Sequence, residues 1–247
     1  MSFCDRCFEG VRHEGTPTGS VESINGIATY VASPPEGITT TKAILFLTDV
    51  FGLALQNNLL LADDFARNGF KVYMPDLFDG DPVPVNAFEP GGPPFDRERF
   101  HAAHSFPITT ERVRAVLEAL PAQGITRVGA TGYCYGARLV FDFAFLGKID
   151  AAVVTHPSAL EVADLEKYAS TTTPLLINSC DVDKPFPKEK QEAADELLKD
   201  FKPGYKRAHW AGCTHGFAVR GDMNIPEVKA GKEGAFKEAV DWFNTYL

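Results

Sequence analysis

Strand-like apolar runs alternate with amphipathic helical patterns along most of this chain. The runs cover residues 21–33, 42–50, 70–76, 127–133, 151–156, 174–180 and 205–212. Several are continuous stretches of Val, Ile, Leu and Ala, which are typical of strands that are covered on both faces. Strand alternating with helix predicts an α/β fold, with a mostly parallel central sheet and helices on both faces.

The sequence pattern is that of a single domain. Apolar residues recur at helical spacing over residues 55–66, 113–120 and 236–243. No internal repeat or charged linker interrupts the 247 residues, a length that suits one α/β domain. We therefore expect a single domain over residues 1–247, in which residues 1–19 form an N-terminal tail.

One segment departs from this alternation of strands and helices. Residues 78–95 contain five prolines and three glycines and have no periodic pattern. A loop of this length is uncommon and is usually functional or mobile. It is either a surface excursion or a lid near the active site, and loop length alone does not separate the two.

Charge and composition limit the classes of protein to consider. The formal net charge of −9 argues against a nucleic-acid partner, which needs clustered Lys and Arg. The sequence shows neither a signal peptide nor an apolar run long enough to span a membrane. Five scattered cysteines fit a reducing compartment, so we expect a cytoplasmic protein. The spacing CDRC (4–7) supplies too few ligands for zinc, and we expect no metal.

A cysteine stands at the centre of the sequence GYCYG (132–136), between an apolar run and a helical segment. A strand that turns abruptly into a helix brings the two backbones close together, which requires small residues such as Gly132 and Gly136. The Cys134 side chain then projects above the sheet edge, where the helix N-terminus favours a thiolate. The backbone N–H of Tyr135 is free to donate to an oxyanion. The pattern indicates a nucleophile; a buried cysteine beside unrelated glycines is the alternative.

The partners of such a nucleophile follow it in the order acid, base, each beyond a strand end. Asp181 and Asp183 both follow the run 174–180, and either fits the acid. His215 follows the run 205–212 and fits the base. His156, which ends an earlier strand, is the competing base.

Five motifs together resemble the dienelactone hydrolase family of α/β-hydrolases. They are TDVFG (48–52), PDLF (75–78), GYCYG (132–136), DKPFP (183–187) and HGFAVR (215–220). The resemblance extends from about residue 20 to the C-terminus and implies an α/β-hydrolase fold. It also implies a triad of Cys134, His215 and Asp183, with Asp181 as the second choice of acid.

The same resemblance suggests further site residues. In the family, the TDVFG segment supplies a carboxylate that contacts the resting thiol and an N–H that completes the oxyanion hole, which here correspond to Asp49 and Val50. Arg220 resembles an arginine that binds the substrate carboxylate. The segment after PDLF carries acids where bacterial members have a second arginine, so we expect weaker binding of anionic substrates.

The resemblance implies hydrolysis of an ester or enol-lactone through a Cys-His-Asp triad, without a cofactor. A thioesterase or a lactone-processing enzyme of secondary metabolism is an alternative within the same class. A non-catalytic binding module on a hydrolase fold is the alternative outside it, because a fold does not determine a function. The expected partner is a small-molecule substrate, with no nucleic acid and no membrane, and the expected assembly is a monomer or a homodimer.

Overall fold

One eight-stranded sheet organises the chain in the computed structural model, which describes Val11 and residues 13–247. The strand order is β1-β2-β4-β3-β5-β6-β7-β8. The strands are β1 (Ser20–Ile24), β2 (Ile27–Ala32), β3 (Lys42–Leu47), β4 (Lys71–Pro75), β5 (Arg127–Tyr133), β6 (Ala151–Thr155), β7 (Leu175–Val182) and β8 (Tyr205–Thr214). Strands β3 to β8 run parallel to one another, and β1 and β2 are antiparallel additions at one edge. The sheet is thus mostly parallel, as expected, whereas most of the predicted tail 1–19 lies outside the described residues.

Helices cover both faces of this sheet. They are α1 (Gln56–Arg67), α2 (Arg97–Ala103), α3 (Phe106–Ala119), α4 (Tyr135–Phe145), α5 (Val162–Tyr168), α6 (Lys188–Leu198), α7 (Phe217–Arg220) and α8 (Pro226–Tyr246). Alternate residues of β3 belong to two separate apolar layers: Leu45 packs with the layer that includes α3 and α4, and Phe46 with the layer that includes α1 and α8. Burial on both faces explains why the central strands are continuous apolar runs.

The first predicted strand was wrong in one respect. The run 21–33 is two antiparallel strands, β1 and β2, in which Ile24 pairs with Ile27. The two residues between them, Asn25 and Gly26, have φ angles of 47° and 81°. Two positive φ angles are the requirement of a type I′ hairpin turn, and Asn-Gly is its preferred sequence.

Parallel pairing brings the carboxyl ends of β3, β5, β6, β7 and β8 to the same edge of the sheet. The residues just beyond these ends therefore meet there, although they are far apart in sequence. A register irregularity between Cys180 and Val182 extends the β7–β8 pairing to Val182 and Thr214. The strand ends, loops and helix ends at this edge hold the residues that the sequence analysis assigned to the site.

The proline- and glycine-rich segment 78–95 packs against the loop that follows β3. The N–H of Val83 donates to the carbonyl of Val50 at 3.0 Å. The Phe88 ring, which is 59% exposed, meets the buried Phe51 ring edge-on, with the centroids 5.9 Å apart. The segment thus borders the sheet edge that carries the site.

Candidate active site

Cys134 occupies a strained turn between β5 and α4. Its φ and ψ are 49° and −108°, which side chains other than glycine seldom adopt. A Cβ on Gly132 would lie 2.6 Å from the carbonyl oxygen of Gly136, and a Cβ on Gly136 would lie 2.1 Å from that of Leu47. Both positions therefore require glycine because the turn, α4 and β3 approach so closely. This is the local geometry of a nucleophile elbow.

His215 and Asp183 lie together beside this turn. Nδ1 of His215 is 2.9 Å from Oδ1 of Asp183, whose side chain is fully buried. The N–H of Phe186 donates to the same carboxylate oxygen at 3.1 Å, which holds the acid in place. Burial disfavours a charged imidazole, but hydrogen bonds to Asp183 and Cys134 outweigh it and raise the pKa of His215 to about 9. A protonated His215 is suited to pair with a thiolate at neutral pH.

The other candidate acid, Asp181, has different partners. Its carboxylate lies 2.7 Å from Nε2 of His209 and accepts the N–H of Gly212 at 2.6 Å. These hydrogen bonds, with that of Gly212 the larger, lower the pKa of Asp181. The pair with His209 is exposed, so Asp181 and His209 form a surface contact away from His215.

Two backbone N–H groups at the sheet edge have the properties of oxyanion donors. Within the described part of the chain, neither the N–H of Val50 nor that of Tyr135 donates a hydrogen bond. Tyr135 is the first residue of α4, so its N–H has no acceptor within the helix. Its side chain is anchored: the hydroxyl donates to the carbonyl of His104 at 2.7 Å, and the ring stacks on Phe106.

Asp49 has no exposed surface. Among the described residues, its hydrogen-bonding partners do not include the Cys134 thiol, which is the contact that the resemblance implied. One carboxylate oxygen accepts the N–H of Phe51 at 3.2 Å and the side-chain amide of Asn58 at 3.1 Å. The other accepts Nε of Arg220 at 3.3 Å. Burial raises the pKa of Asp49, although Arg220, Asn58 and Phe51 act against that rise.

Arg220 is held on two sides. Besides the contact with Asp49, its guanidinium lies over the Phe51 ring, 4.9 Å from the centroid. Its side chain remains 30% exposed, so Arg220 is not fully withdrawn from solvent. The sequence analysis treated Asp49 and Arg220 separately, and no local signal connects residues so far apart.

The turn after β6 contributes a residue that the sequence analysis missed. The hydroxyl oxygen of Ser158 is 3.7 Å from Sγ of Cys134, within hydrogen-bonding distance for sulfur. The N–H of Ser158 donates to the carbonyl of Cys134 at 3.1 Å. The position of Ser158 beyond the end of β6 is the one signal in the sequence that marks it.

His156, the competing base, lies behind His215. It is fully buried, and the centroids of the two imidazole rings are 5.0 Å apart in an edge-to-face arrangement. Neither of its ring nitrogens has a hydrogen-bonding partner in the described residues. Burial first, and then the charges of His215 and Arg220, hold the pKa of His156 well below its ordinary value. A neutral, fully buried imidazole is poorly placed to reach a substrate.

Two further cysteines lie close to the site. Cys180 is buried, with Sγ 3.8 Å from Oδ2 of Asp183, and burial raises its pKa strongly. Cys213 is also buried, and burial raises its pKa as well. High thiol pKa values make both poor nucleophiles. The described residues contain no cluster that could hold a metal ion, and Cys4 and Cys7 lie outside them.

This strand order, with a strained residue at the turn between β5 and α4, an acid after β7 and a histidine after β8, defines the class of α/β-hydrolases. The chain belongs to the dienelactone hydrolase family, whose model matches residues 27–247. The membership confirms the resemblance and the fold that the motifs predicted. It also places the chain in a family of hydrolases.

Curated relatives cover almost the whole chain. Hydrolase pyvD of Aspergillus violaceofuscus is 39% identical, over 98% of this chain and 96% of the relative. Hydrolase tropI of Talaromyces stipitatus is 36% identical, over 98% of this chain and 95% of the relative. Dienlactone hydrolase 1 of Gibberella moniliformis is 31% identical, over 98% and 93%.

Solved structures share the fold at much lower identity. A dienelactone hydrolase-like promiscuous phosphotriesterase from metagenomic libraries superposes with a TM-score of 0.67, at 17% identity, over 94% of this chain and 99% of the other. This likeness concerns the fold alone. In the described residues, no helix is both long enough and apolar enough to cross a membrane.

Proposed function

We propose that this protein hydrolyses carboxylic esters or lactones through Cys134, His215 and Asp183. The observation that carries the proposal is the position of Cys134 at a strained elbow, beside a histidine that a buried carboxylate orients. Strain of this kind persists only where the surrounding structure maintains it, and it concentrates at functional sites. The family supplies independent support for a hydrolase.

The proposed reaction has two stages. In the reactive form the proton of Cys134 resides on His215, and the thiolate attacks the substrate carbonyl. The backbone N–H groups of Val50 and Tyr135 donate to the oxyanion that develops. The tetrahedral intermediate collapses, the C–O bond breaks, and His215 returns the proton to the leaving oxygen; in a lactone this oxygen remains part of the same molecule. A water molecule, activated by His215, then cleaves the thioester and restores the thiol.

The proposed substrate is a small ester or an enol-lactone. Arg220 offers one charged group to a substrate carboxylate, but Asp49 already neutralises part of that charge. The exposed Phe88 ring, which packs on the buried Phe51 ring, adds apolar surface on the side of the site that the 78–95 segment borders. We therefore infer that neutral esters are accepted alongside anionic ones. A cytoplasmic location and a monomeric or homodimeric assembly are part of the same proposal.

Hydrolysis of p-nitrophenyl acetate and of an enol-lactone tests this proposal. The wild-type protein should hydrolyse at least one of them, and Cys134→Ala should lose the activity by orders of magnitude while it retains its circular dichroism spectrum. Cys213→Ala is the matched control, because Cys213 is a buried thiol that the proposed reaction does not use. Activity that survives in Cys134→Ala would refute the nucleophile. No hydrolysis of any ester, lactone or thioester would instead favour a binding module.

A further inference from the structure

The turn between β6 and α5 is strained on both sides of one serine. His156 has a φ of 39° and Ala159 a φ of 55°, whereas residues other than glycine rarely adopt positive φ. Pro157, between them, restricts the backbone further. Three constrained residues therefore fix the direction in which Ser158 projects. Strain on this scale in a glycine-free turn points to a functional constraint.

Backbone hydrogen bonds tie this turn to its surroundings. The N–H of Ser158 donates to the carbonyl of Cys134 at 3.1 Å, so the serine is positioned relative to the elbow itself. The N–H of His156 donates to the carbonyl of Asn178 on β7 at 2.8 Å. The buried His156 ring also packs against the rings of His215 and Phe217. The turn cannot shift without disturbing the base and the elbow together.

The Ser158 hydroxyl is directed at the reacting atom. Its oxygen is 3.7 Å from Sγ of Cys134, and that sulfur is its single hydrogen-bonding partner within the described residues. The carboxylate that family resemblance would place on the sulfur, Asp49, uses both oxygens for Phe51, Asn58 and Arg220. Ser158 thus makes the contact with the Cys134 sulfur that the family resemblance assigned to Asp49.

We propose that Ser158 is a catalytic residue that contacts the reacting sulfur in both its thiol and its thiolate form, an inference that rests on the proposed role of Cys134 as nucleophile. When Cys134 is a thiol, the Ser158 oxygen accepts a hydrogen bond from it. When the proton of Sγ passes to His215, the hydroxyl rotates and donates its own hydrogen to the thiolate. A hydroxyl has both lone pairs and a proton that turns freely, so it serves both states. The hydroxyl itself exchanges no proton and forms no covalent bond.

The consequence concerns the equilibrium between thiol and thiolate. A hydrogen bond donated to the charged form favours that form. Ser158 therefore increases the thiolate fraction at a given pH, together with protonated His215. The other titratable groups at this edge include Asp183 behind His215, Cys180 beside Asp183, neutral His156, and the Asp49–Arg220 pair. All of them remain in place when the Ser158 hydroxyl is removed.

The experiment measures alkylation of Cys134 by iodoacetamide against pH, scored by the mass shift of the Cys134 peptide. In Ser158→Ala the midpoint of the profile should move upward by about one pH unit, the effect of losing one hydrogen bond to a charged group. Ser158→Thr keeps the hydroxyl and should keep a midpoint near that of the wild type. Ser170→Ala is the matched control, because it removes an exposed serine hydroxyl that contacts only a backbone carbonyl.

Two outcomes would overturn the proposal. One is a Ser158→Ala profile that superimposes on that of the wild type. The other is an equal upward shift in Ser158→Thr and Ser158→Ala, which would show that the hydroxyl is not the cause. Failure of the proposed function is detected separately, as ester hydrolysis that persists in Cys134→Ala. Alkylation needs no substrate, so the two failures are distinguishable.

Discussion

Arg220 donates from Nε to a carboxylate oxygen of Asp49 at 3.3 Å, which joins the loop after β3 to the last residue of α7 across 171 positions of sequence. The Asp49 side chain is fully buried, whereas that of Arg220 is 30% exposed. A buried carboxylate needs a partner of opposite charge or hydrogen-bond donors, because desolvation disfavours its ionised form. We therefore expect the pair to stabilise this edge of the sheet and to limit the charge that Arg220 can present to a substrate.

The first prediction is energetic coupling between these two residues. Arg220→Met should lower the free energy of unfolding by about 2 kcal/mol or more, because it leaves Asp49 buried without its counter-ion. In the Arg220→Met background, Asp49→Asn should cost less than it does in the wild type. Urea unfolding of the two single variants and the double variant measures the difference. If the losses in the free energy of unfolding of the two single variants add up to that of the double variant, the Asp49–Arg220 contact contributes nothing to stability.

The second prediction concerns substrate charge. Arg220→Ala should raise KM for an anionic lactone more than for the methyl ester of the same acid, because only the anion uses the exposed part of the guanidinium. The measurement is KM and kcat for the two substrates with each protein. Equal increases for both would indicate that Arg220 acts only by supporting Asp49.

The third prediction separates the two candidate acids. Asp183→Asn should lower kcat by about two to four orders of magnitude, because the amide no longer stabilises protonated His215. Asp181→Asn is the matched control and should change kcat by a few-fold at most, because its partner His209 is on the surface. Steady-state hydrolysis of p-nitrophenyl acetate distinguishes them. The opposite pattern of losses would exchange the two roles.

The fourth prediction is a stability change with pH that depends on His215. Its pKa rises from an ordinary value of 6.5 to about 9, so the folded state binds an additional proton between these values. The contribution is fully present below pH 6.5 and is lost as the pH rises through 9, so the free energy of unfolding should fall across that window. In His215→Gln this decrease should be smaller by about 1–3 kcal/mol. Chemical unfolding at pH 6, 7.5 and 9 tests it; parallel pH curves for the two proteins would contradict it.

The fifth prediction tests the elbow. Gly136→Ala should cost more than about 3 kcal/mol, or prevent folding, because its Cβ would lie 2.1 Å from the carbonyl oxygen of Leu47. Gly147→Ala, just beyond the other end of α4, meets no atom within 4 Å but has a φ of 61°. It should cost about 1 kcal/mol from strain alone. Similar losses in the two variants would mean that the contact with Leu47 relaxes easily.

The sequence by itself determined the elements and the elbow, because their causes are local. The run 127–133 matches β5, and the run 151–156 exceeds β6 by one residue, since continuous apolar residues follow directly from burial on both faces. The role of the glycines around Cys134 could also be predicted from the sequence, because a tight strand–helix turn excludes a Cβ regardless of the surrounding structure. The split of 21–33 by Asn25 and Gly26 was also a local signal, and it was overlooked.

Tertiary structure decided which side chains became partners. Asp181 and Asp183 look equivalent in sequence, but the irregular register of β7 against β8 leaves one beside His209 on the surface and the other buried against His215. The pairing of Asp49 with Arg220 depends on where strand ends and loops meet at one edge of the sheet. The contact between Ser158 and Cys134 has the same origin. Such contacts carry no local periodicity, because they are set by the strand order and the paths of the loops rather than by neighbouring residues.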